Sequence, residues 1–445
     1  MPEAKRAAAD KRKERISAGR QARRRVSRSG LGSLESKKRS FDPIDLLLQS
    51  NAERLPKLLP VKYQRMAQSP FAFFRGAVSI MAADLASHPH SDITVQLCGD
   101  AHVQNLGSFE TPDGRIVFDI NDFDETIAGP WEWDVKRMAA SIVLAGLESA
   151  HSKTSCEEAV EVFARSYNGA IQRLAAIPIL DAARHQIHRL KRAQVTSAAL
   201  SQAERARPTD LLAKYTEKSA NGQFHFRSMK PILYRVNGPK RQEILSALSV
   251  YRDSLPPERL HLFHFFHPLD VGFKVVGTGS VGLRDYVVLM EGNGKSDPLF
   301  LQIKQEVASA YAPYLNAVQY LHQGKRVAEG QRRLQPSSDL LLGWTRIGEH
   351  DFLVRQLNDH KGSIQIDNLR GRGLSALAEI AGELLARGHA RSGDVLAIHG
   401  YIGNSGKATE ALVNYGLDYA KLTDSDFDFF QKAIKQGRIK VSEPR

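Results

Sequence analysis

Cysteine is nearly absent: Cys98 and Cys156 are the only two in 445 residues. Two thiols cannot build a disulfide framework, and their separation does not suit the paired ligands of a structural zinc site. A reducing, cytoplasmic setting is expected. No run of 18 apolar residues occurs, so no transmembrane helix and no membrane insertion are expected. The basic start of the chain has no apolar stretch and is not expected to act as a secretory signal. Acidic residues are scarce in one region. Residues 1–40 hold 14 Lys or Arg against 4 Asp or Glu, a net of +10, which leaves about +3 of the chain's +13 for the other 405 residues. The basic excess therefore belongs to a tail, and sequence-specific nucleic-acid recognition is not indicated. That tail (KRKER, then RQARRRVSRSG) is poor in large apolar residues. It is expected to be disordered and to make weak contact with polyanions.

The rest reads as globular, with 42% hydrophobic and 25% charged residues over the whole chain, and the length suits two or three domains. Phe74, Val78, Met81 and Leu85 recur at helical spacing. Residues 92–97 (DITVQL) alternate like a strand, and 115–120 form a second after the turn at Pro112-Asp113-Gly114. Helices dominate 133–254, and the polar segment 190–222 reads as a connection. Strands return at 286–290 and 299–304, a helix is expected over 315–334, and DFLVRQL is a further strand. Helices are then expected over 374–390, 408–422 and 427–435.

Two clusters carry the chemistry. CGDAHVQN places Asp100 and Asn105 five positions apart, and the strand after it ends in FDINDFDET, with Asp119, Asp122, Asp124 and Glu125. Carboxylates packed this closely repel one another unless a cation relieves them, and a divalent metal is the economical explanation. GDAHVQN resembles the GDxHxxN loop of aminoglycoside and choline kinases, and NDFDET resembles their metal-binding DFE-type segment. The resemblance implies a catalytic base at Asp100, magnesium ligands at Asn105, Asp122 and Asp124, and a brace for the loop at Asp134 in WEWDVKRMA. Cys98 stands where such kinases usually have His. For His102 a structural hydrogen-bonding role is expected. Arg75, in FFRGA, could reach a phosphate or sit in a buried ion pair.

A kinase also needs a glycine-rich hairpin over the phosphates and a lysine to pair with them. VVGTGSVG supplies Gly277, Gly279, Ser280 and Gly282. A dinucleotide-binding reading would want a helix directly after these glycines, whereas RDYVVLMEG continues as a strand, so a hairpin is the better match. Lys304, in LFLQIKQE, resembles the strand lysine, with Glu329 as its expected acidic partner and Glu306 second. These parts follow the catalytic loop instead of preceding it: either one of the two matches is accidental or the fold is circularly permuted, and permutation is the expectation. LARGHARSGD supports that, because it resembles the helix that normally leads into a kinase catalytic loop.

From about Phe41 onward the chain also resembles an uncharacterised bacterial family, number twenty-two fifty-two among the domains of unknown function. The phrases that carry this are SPFAFFRGA, CGDAHVQNLG, FDINDFDET, GPWEWDVKRMAAS, VVGTGSVG, EGQRRLQPSSD, VRQLNDHKGS and LARGHARSGD. Gln305 departs from the Glu common there after the lysine. The expected class is α+β, a protein-kinase-like two-lobed fold, circularly permuted in the order just described. After the tail at 1–40 would come a helical lobe with the catalytic and metal loops at 41–260. A nucleotide-binding lobe would span 261–360, and C-terminal helices at 361–445 would complete the helical lobe. The expected activity is ATP- and Mg2+-dependent phosphoryl transfer to an unknown small-molecule or protein hydroxyl. Nucleotidyl transfer on the same fold and a non-catalytic nucleotide-binding pseudokinase stay open as alternatives.

Overall fold

Six segments rich in Val, Leu, Ile and Phe pair into one antiparallel sheet. From edge to edge it runs Gly343–Ile347, His350–Gln356, Pro298–Glu306, Asp285–Glu291, His267–Lys274 and Leu233–Arg235. The computed structural model describes residues 2–34, 39–184, 194–230, 232–275, 279–295, 297–315, 320–357 and 362–442, with only the backbone for 2–9. The period-2 alternation of a strand sorts the central pair. Val288, Met290, Leu301 and Ile303 face one core with Ile244, Leu248 and Tyr251 of the Gly238–Asp253 helix. Val287, Leu289 and Phe300 face the other side with Leu212 and Phe226. Register sets Lys304 opposite Asp285 and Gln302 opposite Val287, so Phe300, Gln302, Lys304 and Glu306 share that second face.

A larger core lies among helices. Trp131–Glu148 is buried over nearly its whole length, and Lys153–Ala176, Gly373–Ser392 and Lys407–Lys435 pack around it. Two small pairings sit at its edge: Thr94–Leu97 with Ile127–Pro130, and Leu106–Glu110 with Ile116–Ile120. The structure is thus mixed α and β with antiparallel sheets. Among the described residues no helix is long and apolar enough to cross a membrane.

Several expectations are corrected. Residues 2–22 are helical and 29–32 form a 3-10 turn, in place of the disordered tail. The first helix lies so close to Val395–Ile402 that a Cβ on Gly19 would meet the Ala397 carbonyl oxygen at 1.9 Å. Arg15 pairs with Asp394, Arg23 donates to the Tyr401 carbonyl, and Leu31 is fully buried. Arginine-rich composition concealed this, because the guanidinium groups are satisfied by carbonyls and carboxylates of the helix beneath. Leu31→Ala is accordingly expected to cost about 2 kcal/mol in urea unfolding, a value near zero being the outcome for a detached tail.

The polar segment also has structure: Gln194–Arg205 and Pro208–Tyr215 are helices, and Thr216–Lys218 pairs with Phe224–Phe226. The helix expected over 315–334 is Gln323–Leu334, with 316–319 outside the described residues. The two C-terminal helices are one, Lys407–Lys435. The helix expected around Phe74 breaks at Ala77 into Pro70–Gly76 and Val78–Ala86. The sheet's core begins by Val236, so the boundary expected at 261 falls too late.

Candidate active site

The two strand pairs bring both acidic loops to one place. Thr94–Leu97 leads into 98–105, and Ile116–Ile120 leads into 121–126. Asn121 N donates to the Asn105 carbonyl at 3.0 Å, and the Thr126 hydroxyl donates to the Leu97 carbonyl. Gly99 has φ +83°, and a Cβ there would lie 2.2 Å from the Glu125 carbonyl oxygen. Only glycine lets the loops approach so closely.

Asp134, in the first turn of the Trp131–Glu148 helix, accepts from Cys98 N at 2.8 Å and from Gly99 N at 3.0 Å. It stands 3.3 Å from His389 Nε2, whose Nδ1 meets the Tyr167 hydroxyl at 2.8 Å. The brace expected at Asp134 is therefore present as geometry. One helical turn on, Arg137 is buried and clamps Asp100 Oδ1 with Nε at 2.7 Å and Nη2 at 2.5 Å. His102 Nε2 lies 3.5 Å from Asp100 Oδ2. Burial would raise the Asp100 carboxyl, but Arg137 and His102 outweigh it and hold the group well below the usual carboxylate range.

Lys304 crosses from the sheet to this point and pairs with Asp124. The Ser280 hydroxyl donates to the same Asp124 oxygen at 3.1 Å. Burial would lower Lys304, yet Asp124, Asp122 and Glu306 together raise it. Burial and the neighbouring Asp124 raise Asp122, whereas Lys304 and a bond from Asp122 bring Asp124 down to about 2. Glu306 is raised well above its usual value by burial, and its Oε1 has no partner among the described residues.

One cavity of about 820 Å³ joins these groups, of the size that holds nucleotide-scale ligands. Asp100, Asn105, Asp122, Asp124, Ser280 and Lys304 all line it, and so does Gly279. Gly282 lies just behind, its carbonyl accepting from Leu55 N at 2.8 Å. Gly277 lies outside the described residues. The expected hairpin is present, since His267–Lys274 and Asp285–Glu291 pair antiparallel on either side of the glycine loop.

Glu329 is the misplaced residue. It faces Lys325 at 3.8 Å on the surface. The buried inward position of that helix belongs to Arg326, which donates to the carbonyls of Thr126, Asp124 and Val307 at 2.6, 2.9 and 2.8 Å. The partner of Lys304 is Asp124, supplied by the acidic loop, with Glu306 near enough to act on it electrostatically. Arg137 carried no motif in the sequence and was missed, as were Arg54, Lys62, Lys274 and Arg355, all of which line the cavity except Arg137.

Among the described residues no group of three His, Cys, Asp or Glu could hold a metal unaided. The oxygen donors Asp122 and Asp124 nevertheless suit magnesium, which takes one or two carboxylates and completes its shell with phosphates and water. Asn105 uses its Nδ2 on the Asp100 carbonyl at 3.0 Å, leaving Oδ1 as a third oxygen donor. Residues 54–433 match the model of a family described as an uncharacterised protein conserved in bacteria (DUF2252). Neither the curated proteins nor the solved structures contain a match.

Proposed function

We propose that this chain, which belongs to that family of uncharacterised bacterial proteins, is an ATP- and magnesium-dependent phosphotransferase on a circularly permuted kinase-like fold. One observation carries the reading. Lys304 and Ser280 meet Asp124 across 180 and 156 residues of sequence, in the cavity that also contains Asp100, Asn105 and Asp122. Kinases combine a glycine-rich hairpin, a lysine two strands on, a helix behind it, and a separate loop carrying the base and metal ligands. The order here supports the same plan: hairpin 267–291, Lys304 on Pro298–Glu306, then Gln323–Leu334 and two further strands. The permutation is supported where Gly373–Ser392 ends. Gln96 N donates to the Ser392 hydroxyl at 3.2 Å, so a C-terminal helix abuts the strand leading into the Asp100 loop.

When bound, the nucleotide supplies the phosphoryl group and the cation neutralises its charge. Asp122, Asp124 and Asn105 would hold the cation, and Lys304 would hold the phosphates as a point charge. Asp100 is a weak proton acceptor while Arg137 clamps it. Its role is to orient the acceptor hydroxyl through Oδ2, taking the proton late, which a loose transition state permits. Arg137 and Asp134 fix that orientation from the helix below.

The test is incubation of the full chain with magnesium and ATP labelled separately at the α and γ phosphates, in the presence of a bacterial metabolite extract. Label is expected to leave from γ. Transfer from α instead would make the protein a nucleotidyl transferase, and transfer of neither would leave a nucleotide-binding module. A parallel melt reads binding alone. ATP and magnesium at about 100 times the dissociation constant should add roughly 2.7 kcal/mol of stability, and Asp122→Ala should remove the gain.

A further inference from the structure

Three cations enter the same cavity from the segment that precedes the Asp100 loop, and none of them is ion-paired among the described residues. Arg54 donates Nη1 to the Val281 carbonyl at 2.6 Å. Lys62, 2% exposed, donates to the neutral Asn51 Oδ1 at 2.7 Å. Arg75 has a buried Nε without a hydrogen-bond partner among the described residues. Other buried arginines have several bonds: Arg39 holds Asp84 and Asp426, Arg137 holds Asp100, Arg387 holds Asp119, and Arg326 is taken up by three carbonyls. Nearby carboxylates act on these cations through space, Glu125 and Asp124 on Arg54, Glu125 on Lys62 and Asp100 on Arg75, but a buried cation without a direct ion pair still costs the fold stability unless something fills its place. Burial pushes all three groups down, Lys62 furthest, with Arg54 adding to the effect there.

Six acidic residues line the cavity, Glu53, Asp100, Asp122, Asp124, Glu125 and Glu306. Asp100 is held by Arg137 and Asp124 by Lys304, Glu53 is exposed, and Glu125 is occupied by Ala310 N at 2.7 Å and raised by burial. Among the described residues none of them forms an ion pair with Arg54, Lys62 or Arg75. We infer that Arg54, Lys62 and Arg75 form an anion subsite that takes the acidic group, phosphate or carboxylate, of the hydroxyl-bearing co-substrate. Arg75 carries the assignment to the co-substrate. Arg54 stands beside the glycine loop, on the Val281 carbonyl, whereas the charge acting on Arg75 comes from Asp100 and Asp122 as well as Glu148, which is where the acceptor hydroxyl has to lie. Calling the anion a co-substrate rests on the phosphotransferase reading. The positive wall stands without it.

Inorganic phosphate is the probe, titrated into the full chain at constant ionic strength while the melting temperature is followed. A saturable rise is expected. Arg75→Gln and Lys62→Met should each weaken the apparent phosphate affinity by at least about tenfold, the scale of one charge-assisted hydrogen bond. General salt stabilisation would act on variants and wild type alike. Without phosphate, Lys62→Met should melt no lower than wild type, because it removes an uncompensated buried charge. The phosphate response should persist when a non-hydrolysable ATP analogue and magnesium are already bound. Its disappearance then would assign the three cations to the nucleotide's own phosphates and overturn the inference, as would a wild type that ignores phosphate. A protein that responds to phosphate but not to the analogue would keep the subsite and lose the phosphotransferase reading.

Discussion

Arg137→Leu is expected to destabilise the protein by about 3–5 kcal/mol in urea unfolding at pH 7, the range for leaving one member of a buried ion pair behind. Arg137 is fully buried, and its Nε and Nη2 both serve Asp100 Oδ1, while Nη2 also reaches the Phe74 carbonyl at 3.3 Å. Removing it strands a carboxylate whose remaining neighbours are His102 at 3.5 Å and the cavity. The pH dependence gives the signature. In wild type Asp100 sits below its ordinary value, so its contribution is complete above the usual carboxylate range, roughly pH 4, and is lost as pH falls through its folded value. In the variant, burial without the arginine raises the group. Its ionisation then costs stability at neutral pH, and protonation relieves the cost. The gap between variant and wild type should therefore shrink as pH is lowered from about 7 towards 5. Adding Asp100→Leu to Arg137→Leu should recover much of the loss, since it removes the stranded charge. A gap that is constant with pH and not recovered by the second substitution would mean that the arginine acts through packing against Phe74, whose ring it covers at 4.2 Å.

The same ion pair marks how far the sequence could be read. Local patterns located the second strand of the glycine hairpin and both acidic loops, because alternation and turn residues are written into neighbouring positions, but they missed the first strand, His267–Lys274. Asp134 was found through the resemblance to kinases, and it does accept from the loop it was expected to brace. Pairings across the fold were another matter. Lys304 was given Glu329 because a helix follows the lysine strand, yet its partner Asp124 lies 180 positions away, and only the tertiary fold brings the two together. Nothing local distinguishes the buried Arg326 from its neighbour Glu329, or marks Arg137 within KRMAAS. Composition failed at the start of the chain for the opposite reason. Low hydrophobicity counts residues that could fill a core, but Arg15, Arg23 and Arg28 dock by hydrogen bonds to Asp394 and to the carbonyls of Tyr401 and Ile402. Val26 and Leu31 then anchor the segment in the helical core. Arg75 was left between a phosphate contact and an ion pair, and the structure gives it no ion pair among the described residues.

Lys304→Met is expected to lower ATP-dependent turnover by about 10²–10³-fold, the loss typical of removing one preorganised group that meets developing charge. Lys304 is 3% exposed, so the substitution also touches stability. Asp124 loses its partner and is left beside Asp122, with the Ser280 hydroxyl and the more distant charge of Arg355 to offset the repulsion. The single variant should therefore melt below wild type in the absence of nucleotide. Adding Asp124→Asn removes the stranded charge and should restore most of the melting temperature, because the two losses share one interaction. Activity should not return with it. The lysine is then still missing from the phosphates, and an oxygen donor has been weakened as well. Stability that recovers while turnover stays low separates a site from a structural salt bridge. A double variant that is both as stable and as active as wild type would show that Lys304 and Asp124 merely fasten the sheet to the helical core. The acidic loops around Asp100 would then have to work without it.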